Sequence, residues 1–141
     1  LLSRRQRQMC IRDRLENGHV YIAPGGRHLE VRRMGDGSHV IKLNDMPPIG
    51  GLKPCANIMY DSLTGSGYDE IVCVVLTGMG ADGTNGILSL EKSKPIHVIA
   101  QDAQSCVVYG MPKAIAEAGV VDEVVSLNQV AKTITKNVGE K

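Results

Sequence analysis

The sequence contains no tryptophan and no phenylalanine, and only four tyrosines among its 141 residues. Ring platforms on which single-stranded bases stack are nearly missing, so nucleic acid is not the expected partner. The core must instead be aliphatic, drawn from Val, Ile, Leu, Ala and Met. No apolar run approaches the roughly 18–20 residues that span a bilayer, and no charged-then-apolar leader opens the chain. Membrane insertion is therefore not expected. The four cysteines, Cys10, Cys55, Cys73 and Cys106, show no C-x-x-C spacing. Cys73 in IVCVVL and Cys106 in SCVV read as small buried hydrophobes. Neither a disulfide framework nor a zinc site is expected, and a reducing cytoplasm is the natural compartment.

What is present is ordinary for one soluble globular domain, 43% hydrophobic and 22% charged. The net charge of +1 hides an asymmetry, because residues 1–14 (LLSRRQRQMCIRDR) hold five Arg and one Asp, or +4, leaving −3 on the rest. That stretch has no helical periodicity and contrasts abruptly with the remainder of the chain. Residues 1–17 therefore read as an unmatched, foreign Arg-rich leader, with 18–141 as the domain proper.

From His19 the pattern is orderly. HVYIAPGG reads as a strand ended by Pro24-Gly25-Gly26. HLEVRR and SHVIKLN alternate around Met34-Gly35-Asp36-Gly37, which signals a β-hairpin. Pro54 suits a first helical turn, with Ile58, Met59 and Leu63 along one side. Beyond Gly65-Ser66-Gly67 come three apolar strand-like runs, EIVCVVL (70–76), IHVIAQD (96–102) and VDEVVSL. Helical segments alternate with them: one through Gly86-Ile87-Leu88 to about Lys92, one from Met111-Pro112 to Gly119, and one from about Asn128. The last places Val130, Ile134 and Val138 on a single stripe. Such βαβ units imply a doubly wound, mostly parallel α/β sheet with an antiparallel hairpin beside it. Sheets of this kind are usually larger, so the first βα units are expected to be missing.

The most informative feature is Thr77-Gly78-Met79-Gly80-Ala81-Asp82-Gly83. Gly78, Gly80 and Gly83 spell G-x-G-x-x-G between a strand and a helix, and Asp102 ends the next strand. That is the dinucleotide fingerprint. Against it, Asp82 stands at the mouth of the helix, where a pyrophosphate would lie and be repelled. On the residues alone three readings stay open: Asp82 caps the helix, the turn binds a nucleotide, or Asp82 is an oriented carboxylate that holds a catalytic histidine.

TGMGADG, then IAQDAQSCVVYGMP, with VYIAPGGRHLEV upstream, resembles the catalytic domain of the chemotaxis protein-glutamate methylesterases. The likeness runs in order from about Gly18 to about Val138. It implies a doubly wound α/β fold and a Ser-His-Asp triad, without a cofactor. It implies hydrolysis of glutamate methyl esters, and deamidation of glutamines, on the signalling helices of methyl-accepting chemoreceptors. The family's aspartate falls on Asp82, and a backbone N–H of its oxyanion hole on Met79. Its serine lies in a G-A-S-T-G-G turn and its histidine in a Q-H-M-P segment, and neither motif occurs here. Most members also carry an N-terminal receiver domain, which is expected in the parent chain. The sequence thus reads as an inactive C-terminal portion of such an enzyme. Nothing here replaces the nucleophile: no G-x-S-x-G elbow surrounds any serine from Ser38 to Ser126. Ser105 reads as structural, and His28 as a surface or substrate-edge residue.

Overall fold

The computed structural model describes residues 13–139. It divides into two units, with the boundary in sequence between Gly67 and Tyr68.

In the first unit β1 (His28–Arg33) pairs antiparallel with β2 (His39–Asn44), from His28 opposite Asn44 to Arg33 opposite His39. The turn between them is the expected one. Met34 N–H donates to the Ser38 carbonyl, Gly37 takes φ 84°, and the Asp36 carboxylate accepts from the Ser38 N–H and hydroxyl. Asp36 is accordingly held below its ordinary carboxylate range, first by the Ser38 hydroxyl and N–H. The alternation puts Leu29, Val31, Ile41 and Leu43 on a buried face. Helix α1 (Ala56–Ser62), continued by a 3-10 turn (Leu63–Gly65), packs on β1 and buries Tyr60 and Leu63. Pro54 precedes the N-cap, Cys55, rather than entering the first turn. Neither edge of the hairpin is left bare: the Ser62 hydroxyl accepts the Val31 N–H at 2.8 Å, and Asp13–Leu15 run along β2. There the Ile41 N–H reaches the Asp13 carbonyl and the Leu15 N–H the His39 carbonyl, at 2.8 and 2.9 Å.

One expected strand is not formed. Residues 19–24 are irregular, with Val20 82% and Ile22 63% exposed. The turn at Asn17-Gly18 and the Tyr21 hydroxyl, bridging the Glu16 N–H and the Arg14 carbonyl, fold the segment locally. Apolar alternation alone makes no strand when no neighbouring strand takes up its hydrogen bonds.

In the second unit β3 (Ile71–Val75), β4 (Ile96–Gln101) and β5 (Glu123–Val125) form a parallel sheet in that order. Helices α2 (Thr84–Glu91), α3 (Met111–Glu117) and α4 (Leu127–Asn137) come after the strands in turn. The central strand shows why the run at 96–101 carries so few charges. Val98, Ile99, Ala100 and Gln101 are consecutive and at most 1% exposed. Successive residues face opposite ways, so both faces of β4 are covered, as a doubly wound sheet requires. Ile87, Leu90, Pro112, Ile115 and Val130 supply the cover from the helices. Each fully buried aliphatic side chain contributes about 1.5–3 kcal/mol. The stripe expected on α4 shifts by one position: Val138 is the C-cap and 59% exposed, while Thr133 is buried. Thr133 tolerates burial because its hydroxyl donates to the Gln129 carbonyl at 2.9 Å.

Candidate functional site

Beyond Val75 the chain leaves the sheet at its C-terminal edge, where open α/β proteins place their sites. Thr77 anchors the glycine turn there. Its hydroxyl donates to the Val108 carbonyl and accepts the Val108 N–H, at 3.1 and 2.9 Å. Gly78 continues the seam, its N–H reaching the Val108 carbonyl while its own carbonyl takes the N–H groups of Gly110 and Met111. The glycine turn is therefore clamped to the segment after β4.

The glycines have local reasons. A Cβ at Gly78 would stand 2.5 Å from the Met111 sulfur, and one at Gly110 would stand 2.7 Å from the Gly78 carbonyl oxygen. Gly80 and Gly83 take φ of 85° and 93°, which side chains resist. Packing and turning of the chain itself account for G-x-G-x-x-G, with no pyrophosphate required. Asp102, the acid of the nucleotide reading, is also engaged: its carboxylate accepts the Ser105 hydroxyl and N–H, which hold it below the ordinary range.

Asp82 and Met79 occupy one turn. Asp82 is half-buried and directly precedes Gly83, the N-cap of α2. Met79 projects outward at 85% exposure, and its N–H meets no acceptor among the described residues. An unengaged N–H beside an anchored backbone is what an oxyanion hole needs.

Sequence reasoning passed over Gln101. A glutamine ending a strand reads as an exposed polar cap, yet this one is 0% exposed. Its Oε1 accepts the Thr77 N–H at 2.8 Å, and its Nε2 donates to the Ser105 carbonyl and hydroxyl at 2.9 and 3.1 Å. The only sequence signal was its place at the end of an otherwise apolar strand. The Ser105 hydroxyl also accepts the Leu127 N–H at 3.0 Å, so it is committed to structure.

His28 corrects an expectation. It is 0% exposed, at neither a surface nor a substrate edge. Its Nδ1 accepts the Cys55 N–H and its Nε2 donates to the Pro47 carbonyl, at 3.2 and 3.0 Å. It tethers the loop between β2 and α1. His97 bonds to Glu123 at 2.8 Å, at the opposite end of the sheet from the glycine turn. The described cysteines, Cys55, Cys73 and Cys106, are free thiols, and burial pushes Cys73 up to about 12. No group of His, Cys, Asp and Glu among the described residues could hold a metal ion, and no helix there is long and apolar enough to cross a membrane.

Comparison with known proteins places the chain in a family. A family model for the CheB methylesterases matches residues 4–134. The chain belongs to the CheB methylesterase family. It is 41% identical over 126 residues to a protein-glutamate methylesterase/protein-glutamine glutaminase of Geobacillus kaustophilus, covering 89% of this chain and 36% of that protein. For the Pectobacterium atrosepticum protein of the same name the figures are 42% over 120 residues, 85% and 34%. Among solved structures it resembles the Thermotoga maritima CheB methylesterase catalytic domain, with TM-score 0.83 and 31% identity over 90% of this chain and 66% of that one. The chain thus spans about a third of the length of the curated relatives it matches. The expected α/β fold, a parallel sheet with an antiparallel hairpin, is that of the CheB catalytic domain. Nothing in these likenesses favours a dinucleotide-binding domain.

Proposed function

We propose that this chain supplies the aspartate and one oxyanion-hole donor of a protein-glutamate methylesterase and protein-glutamine deamidase. Asp82 orients the catalytic histidine, and the Met79 N–H stabilises the tetrahedral oxyanion. Serine, relieved of its proton by the histidine, attacks the ester carbonyl. Methanol leaves with that proton, and water then releases the glutamate carboxylate by the same route. The carboxylate of Asp82 fixes the imidazole tautomer and stabilises the imidazolium that forms. The substrates are methylated glutamates on chemoreceptor signalling helices in the cytoplasm, no cofactor is used, and a receiver domain belongs to the parent chain.

One observation carries this reading: a half-buried carboxylate and an unengaged N–H share one clamped turn at the C-terminal edge of the sheet. The names of the relatives support it. The serine and histidine motifs are absent from the 141 residues, so this chain alone is inactive. Methanol release from methylated receptor tests both statements. The 141-residue chain should give only the uncatalysed rate, and joining it to the family's serine- and histidine-bearing segments should give turnover. Turnover by the chain alone would contradict the assignment of roles.

A further inference from the structure

A buried carboxamide is costly unless its donors and acceptor are used. Gln101 uses both ends, and its orientation is set by its partners. The Thr77 N–H can only donate, so Oε1 faces it; the Ser105 carbonyl can only accept, so Nε2 faces that side. Ser105 passes the connection on, because its hydroxyl donates to Asp102 and accepts the first N–H of α4, from Leu127. The segments after β3, β4 and β5 therefore converge on one carboxamide–hydroxyl pair. The β3 branch of that convergence is the glycine turn: Met79 lies two residues beyond Thr77 and Asp82 five.

We propose that Gln101, acting through its bonds to Thr77 and Ser105, is the positioning residue that sets the Met79 N–H and the Asp82 carboxylate for catalysis. It touches neither substrate nor histidine. Its contribution is to fix where the turn leaves the sheet, so that the oxyanion donor is aimed before substrate arrives. This inference rests on the reading of that turn as part of a methylesterase site.

Amide hydrogen exchange on the 141-residue chain tests the geometry without needing activity. Gln101→Met keeps the length and removes every hydrogen bond, whereas Gln101→Glu keeps the acceptor for Thr77 and, ionised, loses the donors to Ser105. In Gln101→Met the Thr77 amide should exchange at least about tenfold faster relative to the Ile99 amide, an internal measure of global opening. In Gln101→Glu it should stay protected. If Thr77 and Ile99 accelerate together in Gln101→Met, Gln101 acts only on stability and the proposal is overturned.

The catalytic consequence is read in the chain joined to its serine and histidine segments. There kcat should fall at least about tenfold in Gln101→Met, with KM within about twofold and partial rescue in Gln101→Glu. Unchanged kcat in an active background overturns the proposal. An inactive wild type sinks the esterase reading instead, and leaves the exchange result to decide the geometry. Should Gln101→Met fail to fold, Ser105→Ala takes its place, with kcat expected to fall at least about threefold and unchanged kcat overturning the proposal.

Discussion

A methyl group at Gly110 would stand 2.7 Å from the Gly78 carbonyl oxygen and 2.9 Å from the Gly80 nitrogen, both backbone atoms that cannot swing aside. Gly110→Ala should therefore force the glycine turn away from the segment after β4 and cost about 1–3 kcal/mol, as overpacking does. Gly35→Ala is the matched control: its Cβ would meet open space and its φ is not left-handed, so its stability should stay within about 0.5 kcal/mol. Denaturant midpoints of the two variants decide the matter, and equal midpoints would refute the close approach. Glu123 gives a pH dependence. The Asn137 amide and then the His97 ring hold its carboxyl below the ordinary value of 4.5, with the Lys136 ammonium 3.8 Å away. The unfolded chain takes up this proton first as pH falls. The contribution is thus complete above pH 4.5 and fades below it, toward the lowered folded value. Glu123→Gln should flatten the acid limb of stability against pH, and superimposable limbs would count against the bonds to Asn137 and His97.

Among the elements, the pairing of Asp13–Leu15 with β2 shows where sequence reading stops. That stretch ends an Arg-rich run without apolar alternation, so nothing in its side chains announces a strand partner. The bonds are backbone to backbone, and any residue but proline can make them. Residues 1–12 of the stretch read as a leader lie outside the described residues, and the family match begins at residue 4, within that stretch. Deleting the chain through Leu15 rather than through residue 12 should remove two backbone hydrogen bonds, about 1–3 kcal/mol, and lower Tm by several degrees. Equal midpoints for the two truncations would show that the pairing contributes nothing. The buried strand β4 was legible because its middle, Val98-Ile99-Ala100, is apolar at consecutive positions, as in a strand covered on both faces. Ile99→Ala at its centre should cost about 2–5 kcal/mol in chemical denaturation. The segment at 19–24 misled for the opposite reason: Val20 and Ile22 alternate correctly, but alternation does not say whether a partner strand exists. Gln101 was invisible for a third reason, since burial of a polar group depends on partners distant in sequence.

For the whole molecule, the charge asymmetry, the aliphatic core and the order of strands and helices come from composition and pattern, whereas the chemistry does not. Composition, spacing and turn geometry left helix capping, nucleotide binding and catalysis all open at Asp82. Membership of the CheB methylesterase family does not favour the nucleotide reading, and the proposal of ester hydrolysis is built on that membership and on the unengaged Met79 N–H. The most direct test is kcat for methanol release by Asp82→Asn, in the chain joined to the family's serine- and histidine-bearing segments. Asparagine matches aspartate in size and shape one residue before the N-cap Gly83, so folding should be indifferent, with Tm within about 2 °C of wild type. It presents an amide that favours the wrong imidazole tautomer and cannot stabilise the imidazolium, a change that costs about 10⁴-fold in serine proteases. A half-buried carboxylate is worth less, and the expected loss here is at least about tenfold in kcat. Wild-type kcat in a folded Asp82→Asn enzyme would contradict the role given to Asp82.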